Sequence, residues 1–462
     1  MLDKVKNIII KTDLFLFKKF GSDKSVKLLE NIKEAKIIFK TDRFLYKKFR
    51  SDKSTKSLEN IKEARIIFSH INEPEKETKI RFVGGCVRKA ISGEKIDDID
   101  LATSLEPEEI KKKLSGKENI KVFDTGISHG TITVILNEKK FEITTLRKDV
   151  STDGRHAKVE FTTNWEIDAS RRDFTINAIY SDIDGRIFDP LNGVSDLRNG
   201  LIKFAGLPEE RIHEDYLRIL RYLRFFTHYS KIDHNENVIL AIKKNINGLN
   251  KISNERIFSE LQKILNLKNF YNLFSYKQSK EIILNIFPQF KYYERLKILD
   301  KLNSKLRSKY DVNLILALLI LDQTKDYEYF CHKYKTSNIT KDRFQNIALN
   351  FENLNDKKFY SEKNIKRLIY LIGKDYVSDL LLFSICSNNK IKISTIDTLL
   401  DYVNICKIPK FPISGDYLKE QGYKTGKALG DKLKLLEEKW IKNNFIIDKK
   451  TIEKSLDKNG KN

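Results

Sequence analysis

The chain has 462 residues, 40% of them hydrophobic, and its 87 basic and 64 acidic residues give a formal net charge of +23. A single hydrophobic core rarely grows beyond about 250–300 residues, so this length predicts more than one packed unit. The cationic excess favours a polyanionic partner, because Lys and Arg displace counterions from phosphates, although part of it reflects a general richness in lysine. No apolar run approaches the roughly 18 residues needed to cross a bilayer, which argues against a membrane protein.

Cysteine usage indicates the compartment. Cys86, Cys331, Cys386 and Cys406 are widely separated and show no paired spacing. This pattern argues against a zinc site and a disulfide framework, and it favours a reducing environment. The apolar run at 8–10 is too short for a signal peptide. We therefore predict a cytoplasmic protein that binds neither zinc nor haem and does not associate with membranes.

A tandem repeat occupies the first part of the chain. Residues 11–39 (copy one) align without gaps with residues 40–68 (copy two), with six differences. Two copies are fewer than the three or more that a solenoid usually needs, so the repeat indicates a duplicated element rather than an architecture. The second half of copy two is predicted to be helical, with Ser57 as a possible N-cap.

The stretch Phe82–Thr103 combines a short apolar strand, a Gly-Gly turn, a helix and an Asp-x-Asp sequence at Asp98 and Asp100. Side chains alternate along a strand, so the two aspartates would share a face. Close carboxylates repel each other unless a cation lies between them, and Mg²⁺ bound by carboxylates and substrate phosphates meets that need. Gly84 and Gly85 lack Cβ atoms, so a phosphate could approach their backbone and the following helix N-terminus. The pattern predicts a metal–triphosphate site.

This sequence, GG-x-VR at 84–88 followed by DID-L-A-T at 98–103, resembles the first motif of class II tRNA nucleotidyltransferases and bacterial poly(A) polymerases. The resemblance implies an α+β fold, with a polymerase-β-like nucleotidyltransferase head followed by an all-helical neck, body and tail. It also implies two Mg²⁺ ions on the catalytic residues Asp98 and Asp100, with the glycine turn and Arg88 near the triphosphate. Lys89 departs from the family, which usually has Asp there.

The same resemblance divides the chain into parts. These are an N-terminal extension at 1–70, a head at 71–207, a neck at 208–270, a body at 271–360 and a tRNA-binding tail at 361–462. In the family a single helix usually precedes the glycine motif. Copy two would supply that helix, and copy one would be extra.

Strands are predicted in the head at 80–84, 98–103, 120–124, 131–136, 141–146 and 174–181. On the fifth of them, Glu142 shares a face with Thr144, and the family resemblance implies that this carboxylate completes a catalytic triad with the aspartates. Residues 148–158 are polar and lack periodicity, which predicts a loop. They resemble the flexible loop on which addition of A is thought to depend in the family, and the loop residues are Asp149, Asp153, Gly154 and Arg155.

Two further motifs concern the nucleotide. In RRDFTINA, at 171–178, Asp173 and Asn177 can contact a sugar edge, and the family resemblance assigns this motif to the ribose 2′-OH. Residues 214–225 are predicted to form one helix, and Asp215, Arg218 and Arg221 recur at i, i+3 on its face. The resemblance assigns this face to base recognition. The DPLNG sequence at 189–193 matches a third motif, interpreted as a turn that couples head to neck.

We therefore predict a CCA-adding tRNA nucleotidyltransferase that transfers CMP, CMP and AMP from CTP and ATP to the tRNA 3′ end. The loop argues against an enzyme that adds only CC, and the DTGISHGT sequence at 124–131 argues against a poly(A) polymerase. An enzyme that adds only A stays open. A non-catalytic RNA-binding protein is a remote alternative, disfavoured by the intact Asp98, Asp100 and Glu142.

Overall fold

The computed structural model describes residues 49–51, 55–72, 78–117, 119–152, 157–388, 391–448 and 452. Copy one of the repeat and residues 153–156 of the predicted loop, which include Asp153, Gly154 and Arg155, lie outside this range. The chain divides into two compact units, at 1–251 and 252–462. This boundary falls inside the predicted neck, and the finer division into body and tail stays a prediction. The α+β class is confirmed.

The first unit contains the strands. They are β1 (Phe49–Ser51), β2 (Ile80–Val83), β3 (Ile99–Thr103), β4 (Ile120–Gly126), β5 (Thr131–Leu136), β6 (Lys139–Thr145), β7 (Arg147–Thr152), β8 (Ala157–Phe161), β9 (Tyr180–Ser181) and β10 (Arg186–Phe188). Eight of them form a mixed sheet in the order β1-β10-β9-β2-β3-β6-β5-β4, and β7 pairs with β8 in a separate hairpin. Only the β3–β6 pairing of this sheet is parallel among the described residues.

The first unit also contains α-helices. They are α1 (Lys56–Glu59), α2 (Lys62–Ile71), α3 (Gly85–Ile91), α4 (Pro107–Leu114), α5 (Trp165–Ser170), α6 (Gly193–Asn199), α7 (Pro208–Glu214), α8 (Arg218–Tyr229) and α9 (Glu236–Asn245). Strand β2 is buried along its whole length, and the apolar face of α2 packs against it. The core on this side of the sheet is therefore apolar.

The second unit is helical apart from connecting segments wherever the structure describes it. Its α-helices are α10 (Asn254–Leu265), α11 (Asn272–Ser275), α12 (Lys277–Ile286), α13 (Ser304–Arg307), α14 (Val312–Ile320), α15 (Asp326–Lys333), α16 (Asn338–Asn350), α17 (Glu362–Ile372), α18 (Lys374–Ser387), α19 (Ile393–Ile405), α20 (Gly415–Glu420) and α21 (Lys427–Lys442). Residues 314–320 of α14 are all buried, as expected of a helix that is apolar all round. Among the described residues, no helix is long and apolar enough to cross a membrane.

Three sequence predictions of secondary structure between residues 57 and 181 are wrong. Ser57 lies inside α1 rather than capping a helix. The predicted single helix is interrupted between α1 and α2, where the Glu59 carbonyl accepts a hydrogen bond from Arg65 Nε at 3.0 Å. Residues 148–158 were expected to form a loop but belong largely to the β7–β8 hairpin. Residues 174–181 form a 3₁₀ turn and a two-residue strand, since the Thr175 N–H bonds the Lys203 carbonyl instead of a neighbouring strand.

Copy two of the repeat is part of the head. Its β1 pairs antiparallel with β10 at the sheet edge, and Leu58, Ala64, Ile67 and Phe68 are fully or almost fully buried in the core. The Phe68 and Phe82 ring centroids are 5.0 Å apart. Copy two therefore supplies the helical segment predicted ahead of the glycine motif, in the form of two short helices, α1 and α2.

Deletion of residues 11–39 should leave folding intact and activity within a few-fold of the parent, because the contacts that tie copy two to the sheet are retained. Deletion of residues 40–68 is the matched control, since it fuses copy one to Ser69 and changes the remaining unit at six positions. One of these replaces Thr55, whose hydroxyl donates to the Gly185 carbonyl at 3.3 Å, by Val. We expect this control to lose about 1 kcal/mol in urea denaturation. Unfolding of the 11–39 deletion would contradict the prediction.

Candidate active site

Two of the three carboxylates predicted to be catalytic, Asp100 and Glu142, lie on neighbouring strands. Asp100 lies on β3 directly opposite Glu142 on β6, in parallel register, so both side chains lie on one face of the sheet. Ile99 and Leu101 alternate with Asp100 and are buried, which fixes the face that the carboxylate presents. Asp98 lies one residue before β3 and is exposed. Alternation along β3 together with the parallel pairing of β3 and β6 thus places the three carboxylates around one cavity.

Charge accumulates at this position. Burial raises the pKa of Asp100, the Glu142 carboxylate raises it further, and Asp98 adds to this, while Arg172 and Arg88 oppose the rise. Such mutual repulsion is what a bound cation would relieve, and carboxylate oxygens are ligands that Mg²⁺ prefers. In the described part of the chain, however, no group of three or more His, Cys, Asp or Glu side chains is arranged to hold a metal ion. The carboxylates of Asp98, Asp100 and Glu142 are suitable ligands for a divalent cation, but the third of them, Glu142, is hydrogen-bonded to another side chain.

That third member is engaged by a lysine. Glu142 Oε1 accepts a hydrogen bond from Lys140 Nζ at 2.6 Å, and the two side chains form an ion pair. A cavity of about 850 Å³ adjoins them and is lined by Asp98, Asp100, Glu142 and Lys140, among others.

The glycine turn lies beside Asp100. Gly84 has φ +68°, a conformation that favours glycine, and a Cβ at this position would lie 3.5 Å from Arg172 Nη1. A Cβ at Gly85 would lie 3.9 Å from Asp100 Oδ2. The turn therefore places bare backbone between a carboxylate and a guanidinium, which suits the close approach of a phosphate. Arg172 was not assigned to this position from the sequence.

Arg88 is directed away from the turn. Its side chain is buried, its Nε donates to Tyr229 Oη at 3.1 Å, and its guanidinium also bonds Asn177 Oδ1. The guanidinium carbon lies 4.7 Å from the centre of the Phe225 ring. Arg88 therefore connects α3 to α8, and its predicted contact with the triphosphate stays a prediction.

The predicted sugar-binding residues form one network with Arg88. Asn177 Nδ2 donates to Asp173 Oδ1 at 2.8 Å, and Asp173 Oδ2 accepts from Arg221 Nε at 2.7 Å. Burial opposes the ionised form of Asp173, but the Arg221 charge and the Asn177 hydrogen bond lower its pKa below the usual range. The motif predicted to contact ribose and the helix predicted to contact the base are thus directly joined.

Asp168 is a structural anchor of the site that sequence reasoning missed. Its carboxylate accepts from Arg171 Nε at 2.8 Å, from Arg172 Nη2 at 3.0 Å and from Tyr180 Oη at 2.7 Å. Asp168 is 1% exposed. The spacing of Asp168 to Arg171 and Arg172, at i+3 and i+4 after an Asn164 N-cap, was the available signal.

The prediction that Asp215 and Arg218 share one helix face is wrong. Helix α7 ends at Glu214, Asp215 has extended backbone angles (φ −154°, ψ 106°), and α8 begins at Arg218. Asp215 Oδ1 accepts from the Leu217 N–H at 3.1 Å, so its side chain stabilises the turn between the helices. Arg218 pairs instead with Glu214, at 2.7 Å.

The third motif makes structural contacts within the head, and its coupling to the neck stays a prediction. The Asp189 carboxylate accepts from the N–H groups of Gly193 and Val194 at 2.7 and 2.9 Å and so caps α6. Asp196 of α6 accepts from Thr175 Oγ1 at 2.7 Å, which braces the segment that contains Asp173 and Asn177. Of the predicted A-addition residues, the described Asp149 lies 3.8 Å from Arg147 Nε.

Known families match most of the chain. Residues 80–203 match the Poly A polymerase head domain, residues 235–293 match the probable RNA and SrmB-binding site of polymerase A, and residues 305–456 match domain 2 of the tRNA nucleotidyltransferases. With the paired carboxylates beside a glycine turn, the first match defines a nucleotidyltransferase head.

Individual proteins give the same result. CCA tRNA nucleotidyltransferase 1, mitochondrial, of Homo sapiens is 36% identical over 388 residues, covering 80% of this chain and 85% of the relative. The CCA-adding enzyme of Ligilactobacillus salivarius is 33% identical over 386 residues, covering 80% and 90%. The chain belongs to the family of class II CCA-adding tRNA nucleotidyltransferases. Its fold resembles that of the CCA-adding enzyme of Bacillus stearothermophilus solved in complex with CTP, with a TM-score of 0.64 at 23% identity over 82% of this chain and 92% of that one.

Proposed function

We propose that this protein adds CMP, CMP and AMP to the 3′ end of tRNA, from CTP and ATP, without a nucleic-acid template. The observation that carries the proposal is the pairing of Asp100 with Glu142 on adjacent strands beside the Gly84 turn. This arrangement supplies carboxylates for a cation and bare backbone for a triphosphate within one small region. The family membership supplies the substrate class.

Enzymes of this family generally use divalent metal ions, and we propose that Asp98 and Asp100 hold two Mg²⁺ here, with Glu142 completing the site. Bound cations would supply Lewis-acid activation of the tRNA 3′-OH and neutralise charge on the triphosphate. The raised pKa of Asp100, caused by burial and by Glu142, supports a cation at this position. Because Gly84 has no side chain, the triphosphate could approach its backbone closely, and Arg172 would place a positive charge beside it.

Sugar selection is proposed for Asp173 and Asn177. Arg221 and Arg88 hold these two side chains in place, so their remaining lone pairs and N–H groups are presented in a fixed orientation. The 2′-OH both donates and accepts a hydrogen bond, and this distinguishes a ribonucleotide from a deoxyribonucleotide.

Base selection is proposed for Asp215, Arg218 and Arg221, with Arg218 as the principal donor. Glu214 and the Arg211 carbonyl engage Nη1 of Arg218, and a guanidinium has further N–H donors for a base edge. Arg218→Ala should raise KM for CTP and ATP and reduce the preference for CTP over UTP by on the order of tenfold or more, since a bidentate contact discriminates by about 1–3 kcal/mol.

The matched control for this prediction is Arg224→Ala, on the same helix but outside the proposed base-reading set. Steady-state kinetics with all four nucleotides should show an unaltered CTP/UTP preference in the control. An Arg218→Ala enzyme with the parent's preference would place base recognition elsewhere.

The β7–β8 hairpin is proposed to act in the last step only. Replacing residues 149–156 by a short Gly-Ser linker should leave both C additions and block addition of A, because the family resemblance ties A addition to this segment. The check is gel-resolved extension of a tRNA that ends in CC. Normal A addition by the variant would refute the assignment of Asp149, Asp153, Gly154 and Arg155.

We also propose a cytoplasmic location, on the strength of the scattered cysteines and the bacterial relatives. Cell fractionation with an antibody to the chain tests it, and recovery in an organelle would contradict it.

A further inference from the structure

Lys140 lies beside Glu142 in the proposed metal site. Lys140 and Glu142 are two residues apart on β6, so their side chains lie on the same face. The Lys140 Nζ lies 2.6 Å from Glu142 Oε1. The ammonium is therefore a counter-ion to Glu142.

The neighbouring lysine provides an internal comparison. Lys139 lies on the opposite face of β6, and its Nζ pairs with Glu63 Oε2 at 2.6 Å. Lys139 and Lys140 are similarly exposed, at 49% and 59% of their side chains. They carry the same charge on adjacent residues of one strand, but only Lys140 contacts a catalytic carboxylate.

The Lys140–Glu142 pair is open to displacement. Both side chains are about half exposed, and exposed ion pairs are weak because solvent screens them. The adjoining cavity gives the lysine side chain room to move. A divalent cation and an ammonium group repel each other, so they would not share the same carboxylate oxygen. Binding of one at Glu142 therefore disfavours the other.

We propose that Lys140 competes with the divalent cation for Glu142 and so sets the cation concentration at which the three carboxylates assemble into one site. This inference rests on the proposed metal-dependent function. Lys140 acts on the metal through Glu142 and is a positioning residue.

The test measures Mn²⁺ binding to the full chain without nucleotide, by the loss of the free-ion EPR signal. Lys140→Met keeps the length of the side chain and removes its charge, and it should tighten Mn²⁺ binding roughly two- to fivefold, the range expected for an exposed ion pair. Lys140→Arg retains the cation and should bind as the parent does. Lys139→Met removes the same unit of charge from the rim of the same cavity without breaking a contact to Glu142, since Lys139 pairs with Glu63, and it should also bind as the parent does.

The outcomes separate this inference from the proposed function. Parent-like binding by Lys140→Met, or equal tightening by Lys139→Met, overturns the role of Lys140 while leaving the metal site intact. Failure of the parent to bind Mn²⁺ more tightly than Asp100→Asn overturns the metal site and the inference together. A lower Mg²⁺ requirement for nucleotide transfer by Lys140→Met than by the parent supports the proposal independently of the binding measurement.

Discussion

Asp100→Asn should reduce nucleotide transfer by on the order of a thousandfold or more, because it removes charge stabilisation at the reacting centre. The variant should still fold and bind tRNA. Since burial and Glu142 raise the pKa of Asp100, the ionised carboxylate strains the folded state, and its neutral replacement should leave thermal stability unchanged or raised. Single-turnover transfer to a tRNA lacking CCA, together with a thermal melt, measures both quantities.

The control for this experiment is Asp97→Asn. Asp97 lies three residues from Asp100, is exposed, and pairs with Lys89 at 3.2 Å rather than with the carboxylates. This variant should retain activity within a few-fold of the parent. Turnover by Asp100→Asn that approaches the parental rate would remove Asp100 from the catalytic site.

Asp168→Asn should destabilise the head by about 3–5 kcal/mol, because two largely buried guanidinium groups then lose their counter-charge. Urea denaturation measures the loss, with the fluorescence of Trp165, on the same helix as Asp168, as the local signal. Asp184→Asn, an exposed head aspartate, is the control and should change stability by no more than about 0.5 kcal/mol. Equal stabilities of the two variants would contradict the role of Asp168.

The loss of stability caused by Asp168→Asn should depend on pH. Burial alone would raise the pKa of Asp168, but Arg172, Arg171 and the Tyr180 hydrogen bond lower it below its usual range. A lowered folded-state pKa contributes stability above the unfolded value, near about 4, and that stability is lost as the pH falls through the folded value. The difference between parent and Asp168→Asn should therefore be full at neutral pH and shrink below about pH 4. A difference that does not change with pH would indicate lost packing instead of lost charge.

Local patterns predicted the carboxylate face well. Alternation along a strand placed Ile99 and Leu101 in the core and Asp100 on the opposite face, and the structure confirms it. The contact between Asp100 and Glu142 depends on the parallel pairing of β3 and β6, which no local pattern specifies. In this case the family resemblance supplied what alternation could not.

Other predictions failed where side chains compete with the backbone or reach distant parts of the chain. The helical periodicity of 214–225 continues through Asp215, but an aspartate can hydrogen-bond nearby N–H groups, and here it ends one helix and caps the turn before the next. A sequence motif assigns Arg88 to the phosphates. In the structure, aromatic rings of α8 and Asn177 engage its guanidinium, and these contacts span 89 to 141 residues.

The departure at Lys89 is accommodated locally. The family usually has Asp at this position, and here Lys89 pairs with Asp97 at 3.2 Å, so the reversed charge is matched within the segment that leads to Asp98. The charge change therefore leaves the carboxylate pair undisturbed, and it gives no support to a degenerate, non-catalytic protein.

The most direct test of the proposed function is sequencing of tRNA 3′ ends after incubation with the protein. Transcripts that end before CCA, after C and after CC are each supplied with single nucleotides and with CTP and ATP together. We expect C to be added to the first two, A only to the third, and a complete CCA when both nucleotides are present, with no further extension. Addition of A to the CC-ending transcript without addition of C to the other two, growth of a poly(A) tail, or no addition to any transcript would contradict the account.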